Sequence, residues 1–168
     1  MSKRPKNSKA DLALIFGIVF AVIGIIMRTV NKSPYDFLHK IDAGSLFSPF
    51  WLFSLIFIAS FFVCGYYLGR VIDAICIRSR CANDRTVLYK GGILFTVLFF
   101  MSLLWYPSLF VRESVILSFF IALICFLCAI ALVSIWSQIK GSGTLFGVLI
   151  CIWWLYVTVI NFLLIFKI

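Results

Sequence analysis

The side chains best suited to chemistry are few, and their spacing argues against catalysis. His39 is the only histidine, and one loop imidazole cannot build a metal site or complete a Ser/His/Asp set. Cys125 and Cys128 form a C-x-x-C inside an apolar run with no ligand residue beside them. Small packing residues are the favoured reading of that pair over redox or metal chemistry. The other cysteines, Cys64, Cys76, Cys81 and Cys151, suggest no disulfide framework. No apolar run holds an isolated carboxylate, Lys or His of the kind proton and ion paths use. There is no H-E-x-x-H and no phosphate-cradling glycine loop, and Gly91–Gly92 reads more simply as a helix start. A classical hydrolase, kinase or metalloenzyme is therefore not expected, and no catalytic residue, metal or cofactor is assigned.

The apolar runs carry aromatic surface and a few neutral polar groups instead. Phe57, Phe61 and Gly65 recur at i, i+4 and i+8 and share a helix face, with the glycine opening space beside two rings. Ser102 and Trp105 lie three apart on one face, and Trp153, Tyr156, Ile160 and Asn161 fall on one stripe that ends in an amide. An apolar cavity walled by rings and anchored by a few polar groups is the usual make-up of a small-molecule site. The same spacing also describes side chains that pack or face lipid, which is the commoner case. Gly65-x-x-x-Gly69 is a close-approach motif that can serve a dimer or, the favoured reading, packing within the chain.

The elements that position these residues follow from composition. The chain is 64% hydrophobic and 12% charged over 168 residues, whereas an ordinary soluble domain is about 45–50% apolar and about 25% charged. A soluble fold of this size could not cover so much apolar surface, but a bilayer solvates it. Five apolar runs predict an all-α membrane protein, a five-transmembrane-helix bundle, with spans at about 12–28, 50–74, 91–107, 114–136 and 144–166. Residues 1–10 form a basic tail and 11–168 a single transmembrane domain. Pro107 is expected to bend or end the third span, and Arg112 and Glu113 to sit in a tight hairpin before the fourth. Arg70 and Asp73 form an i,i+3 pair of opposite charge on the second. The first connection, residues 29–48, is aromatic enough to pack onto the bundle mouth. The second is expected over Cys76–Lys90.

Net charge is +9, yet the basic residues sit at the N-terminus and in connections, with no periodic basic face, which disfavours nucleic acid and suits anionic lipid. Nine Lys and Arg lie on the side of the N-terminus and five on the opposite side. That count favours a cytoplasmic N-terminus and an external C-terminus. The basic start resembles a signal peptide but has no convincing small-residue cleavage site, so it reads as a retained helix.

The motifs in order resemble those of the translocator protein family (TspO/MBR), also called tryptophan-rich sensory proteins or peripheral-type benzodiazepine receptors. Pro34-Tyr35-x-x-Leu38-x-Lys40 resembles W-Y-x-x-L-x-K-P, with Pro34 for the Trp and Ile41 for the Pro. Ser48-Pro49-x-Trp51, then Phe57, Phe61 and Gly65, tracks P-P-x-W then W, Y and G. Ser102-x-x-Trp105-Tyr106-Pro107-x-Leu109-Phe110 resembles N-x-x-W-P-P-x-F-F, and Trp136, Trp153 and Thr158-x-x-Asn161 follow at the family's spacing. The resemblance covers Pro34 to Phe166.

It implies a five-helix fold, frequent homodimers and a pocket near the first loop that binds porphyrins and, in some members, sterols or synthetic drugs. Position by position, the implied lining is Tyr35, Trp51, Phe57, Phe61, Ser102, Trp105, Trp153 and Asn161, to which the helical stripe adds Tyr156. Phe57, Phe61 and Ser102 stand where the family has Trp, Tyr and Asn, so such a cavity is expected to be greasier than usual. Lys40 or His39 would meet a porphyrin carboxylate. Some members photodegrade protoporphyrin using pocket tryptophans. Trp153 matches one of that pair, and Phe57, far harder to oxidise than indole, stands at the other. The sterol motif near the C-terminus has Phe162 in place of its Tyr, upstream of Lys167. The expectation is a membrane receptor or carrier for porphyrin-like or other flat apolar ligands. The alternatives are a light-dependent porphyrin-degrading enzyme and a structural membrane protein without a ligand.

Overall fold

A computed structural model describes residues 8–30, 37, 50–78, 82–139 and 143–167. Five helices account for nearly all of them: α1 Ser8–Val30, α2 Phe50–Arg78, α3 Ala82–Phe110, α4 Val115–Trp136 and α5 Thr144–Ile165. Each has an apolar stretch of 19 to 25 residues, about 28–38 Å at the helical rise, against a hydrocarbon core of about 30 Å. In that medium no water satisfies the backbone, so each span must close its own hydrogen bonds as helix. The protein is a multi-pass integral membrane protein, and among the described residues its regular structure is all helical.

In lipid the solvent is as apolar as the side chains, so contact shape and internal hydrogen bonds hold the helices together. α1 packs most extensively along α2, α3 along α4, and α4 along α5. α2 meets α5 more sparsely. The ring of helices closes where Phe20 of α1 packs on Phe95 and Phe99 of α3, with centroids 5.8 and 4.8 Å away.

Glycines set the closest approaches. A Cβ on Gly65 would strike the Phe16 carbonyl of α1, and one on Gly69 would lie 2.5 Å from the Ala13 Cα. The space expected beside Phe57 and Phe61 at Gly65 is thus taken by the α1 backbone, and the Gly-x-x-x-Gly motif works within the chain. Between α4 and α5, the fully buried Ser118 hydroxyl donates to Asn161 Oδ1 at 2.6 Å, while Asn161 Nδ2 donates to the Val157 carbonyl at 2.7 Å.

Two boundaries differ from expectation. α2 runs on to Arg78 and α3 begins at Ala82, so most of the connection expected over Cys76–Lys90 is helix, and Gly91–Gly92 lies within α3 rather than at its start. Within the helix Gly91 serves packing: the Trp136 indole of α4 occupies the place of a residue-91 side chain. Pro107 does not end α3, which continues to Phe110. In the same turn the Ser108 hydroxyl donates to the carbonyls of Leu104 (2.7 Å) and Trp105 (2.9 Å). Residues 111–114 then turn the chain, with Glu113 in the left-handed region at φ 53°.

Of the first connection, Phe37 is described: it is buried, edge-on to Phe110 at 6.3 Å. Tyr35, His39, Lys40 and the loop toward which a hollow was expected to open lie outside the described residues.

Candidate ligand site

The inner aromatic residues converge from three helices. Phe53 and Phe57 come from α2, Trp105, Tyr106 and Phe110 from α3, and Trp153 and Trp154 from α5. The Phe57 ring lies 5.1 Å from Tyr106 and 6.3 Å from Trp105. Trp105 stands at right angles to Trp154 at 6.3 Å. Tilted and edge-on geometries are those that ring quadrupoles favour. These rings fill the space between them: Phe57 is 2% exposed and Trp105 is 1%. Around these two side chains the interior is packed, not hollow.

Trp153 has a different setting. It is 8% exposed and stands between two spaces. Inward is a gap of about 20 Å³ lined by Ser60, Phe61, Cys64, Leu98, Phe99, Ser102, Ile150, Trp153 and Trp154, room for about one water. Outward is a groove of about 470 Å³ between α2 and α5, within the roughly 300–1,000 Å³ of small-molecule sites. Its α2 wall is Ile56, Ala59, Ser60 and Val63, and its α5 wall is Leu149, Ile150, Ile152, Trp153 and Tyr156. Ile152 and Tyr156 face outward from its rim, so the groove opens on the lipid-facing flank.

The local sequence explains this shape. Ala59 and Ser60 interrupt a run of Leu, Ile and Phe on α2, lowering the helix surface opposite α5. Behind the groove Phe53 of α2 packs on Trp153 at 5.8 Å. Deeper in the bundle the buried Tyr67 lies against Gly147, where an added Cβ would sit 3.0 Å from the ring. Along the α5 wall the Trp153 and Tyr156 rings are 5.8 Å apart and 35° from parallel, a nearly continuous aromatic face. The hydroxyls of Ser60 and Ser102 donate to the carbonyls of Phe57 and Phe99, each at 2.7 Å. Their oxygens remain acceptors. Rings, methyls and hydroxyl oxygens can hold a flat apolar molecule by contact and an occasional hydrogen bond.

The sequence-predicted residues divide accordingly. Trp153 and Tyr156 line the groove, and Phe61, Ser102 and Trp153 line the inner gap. Phe57 and Trp105 belong to the packed cluster. Trp51 is 66% exposed at the start of α2 and meets neither space. Asn161 is fully buried and engaged with Ser118, so it fastens α4 to α5 rather than facing a ligand. The helical stripe is split, because Trp153, Ile160 and Asn161 turn inward while Tyr156 turns outward. Tyr35 lies outside the described residues.

Sequence reasoning missed Ile56, Ala59, Ser60, Val63, Leu149, Ile150 and Ile152. The step down to Ala59–Ser60 was the one local signal for them. Arg28 was counted only as a connection charge. It is half-buried at the end of α1 and donates from Nε to Ser54 Oγ of α2 at 3.1 Å.

Comparison with known proteins adds one finding. The TspO/MBR family model matches residues 3–166. No curated protein and no solved structure matches the chain.

Proposed function

This chain belongs to the TspO/MBR family, and from that premise we propose that it is a membrane receptor or carrier for porphyrin-like or other flat apolar molecules. The observation that carries the reading is the 470 Å³ groove beside Trp153 and Tyr156. A tetrapyrrole or similar ring system presents two apolar faces, and stacking on indole and phenol surfaces is the contact it makes best. The family membership supplies the ligand class, and the groove supplies a surface of matching chemistry.

Titration of protoporphyrin into the detergent-purified protein, followed by tryptophan fluorescence, tests this reading. Saturable quenching in the micromolar range is expected, with Trp153→Ala weakening the apparent Kd by about tenfold, the equivalent of about 1.4 kcal/mol. Quenching that never saturates, or a Kd unmoved by Trp153→Ala, counts against it. The Lys and Arg distribution supports an N-terminus in the cytoplasm and a C-terminus outside. Protease protection of an N-terminal tag in intact cells, with a C-terminal tag cleaved, is the expected result.

A further inference from the structure

We infer that the α2–α5 groove is a binding site for uncharged, flat polycyclic molecules dissolved in the bilayer, which load sideways from the lipid against Trp153. The inference rests on the ligand-binding reading above and narrows it to a route and a charge state.

Depth is the first argument. Ser60 lies nine residues inside the span that starts at Trp51, and Tyr156 nine residues before the span that ends at Ile165. α2 and α5 run in opposite directions, so both positions fall about 14 Å from the same membrane face. The midplane of a hydrocarbon core about 30 Å thick lies at about 15 Å. The groove therefore opens on acyl chains, not on water or headgroups. A molecule reaching it from the side has already left water.

Charge is the second. The nine residues that line the groove include no Asp, Glu, Lys, Arg or His. One charge at the bilayer centre costs about two orders of magnitude in an equilibrium constant when nothing pairs with it. A ligand with ionised carboxylates is penalised at this depth, and its neutral form is not. The polar groups the lining does offer are the Ser60 oxygen, an acceptor for a ring N–H because its proton goes to the Phe57 carbonyl, and the Tyr156 hydroxyl, a donor suited to a carbonyl or ester oxygen.

Continuity is the third. Ser60, Ile150 and Trp153 line both the outer groove and the inner gap. These three side chains together separate the two spaces, and the Trp153 indole, the largest of them, offers its ring to a ligand in the groove.

The experiment compares protoporphyrin dimethyl ester with protoporphyrin free acid, titrated into the full chain in phosphatidylcholine nanodiscs. Affinity is expressed as mole fraction in the lipid, so that partitioning into the bilayer is divided out. The ester is expected to bind at least about tenfold more tightly than the acid at pH 8. Ala59→Trp, which fills the groove from α2, is expected to weaken ester binding at least tenfold. Ile152→Trp does the same from the opposite wall, should the first variant fail to fold. An acid that binds as tightly as the ester overturns the inference and leaves the receptor reading standing, whereas ester binding unchanged in a folded groove-filling variant overturns the inference and takes from the receptor reading the groove that carries it. Saturable binding of neither probe overturns both, and leaves the groove to lipid.

Discussion

On one flank α2 meets α1 through Gly65 and Gly69, and the two backbones come close enough that a single methyl group would collide. On its other flank α2 meets α5 across Ala59 and Ser60, residues almost as small, yet there the helices stand apart around a groove of about 470 Å³. The difference lies in the partner. Gly65 and Gly69 face the backbone of Phe16 and the Cα of Ala13. Ala59 and Ser60 face Leu149, Ile152 and Trp153, whose bulk props the helices apart without reaching the floor. A small residue permits close approach, and the facing helix decides whether approach or a hollow results.

Four substitutions probe these seams, with the hydrogen-bonded α4–α5 contact as a scale between the two flanks of α2. Gly65→Ala should have the largest effect, because the new methyl meets backbone that cannot rotate away. A loss of about 3 kcal/mol is expected, at the upper end of overpacking penalties, measured as a lower unfolding midpoint in detergent; an unchanged midpoint would mean the α1–α2 seam is not close-packed. Asn161→Ala should cost about 1 kcal/mol, the scale of one interhelical hydrogen bond in a membrane bundle. Ser118→Ala combined with it should add little if the two side chains act as a pair. Ala59→Leu should be the mildest, within about 0.5 kcal/mol of the parent, since its added carbons enter open space. A drop as large as that of Gly65→Ala would erase the distinction between the two flanks.

The sequence made the number and type of elements legible because apolar run length is a local property and the bilayer tolerates few alternatives. The family followed from motif order, which needs no knowledge of packing. Element ends were less legible. Gly91–Gly92 reads locally as a helix start, yet α3 runs through it, and the use of Gly91 shows only once the Trp136 ring of a helix distant in the chain is set against it. Of the candidate site, spacing named Trp153 and Tyr156, which line the groove, but it put Asn161 on the same stripe, and the engagement of Asn161 with Ser118 depends on how α4 lies beside α5. Trp51 carries a family motif and is still exposed, a position typical of indoles at a membrane interface. Ala59 and Ser60 were visible as a dip in side-chain size, but whether a dip becomes a seam or a hollow is written in the opposing helix.

The turn between α3 and α4 bears on how the protein is made. Only residues 111–114 separate the two helices, and the Ser114 amide donates back to the Ser108 carbonyl at 3.1 Å. So short a link holds the two helices side by side as a hairpin as soon as both are made. The tip carries Arg112 and Glu113, whose formal charges cancel. On whichever face of the membrane it lies, this end of the hairpin adds no net charge, and α4 presents its other flank to α5.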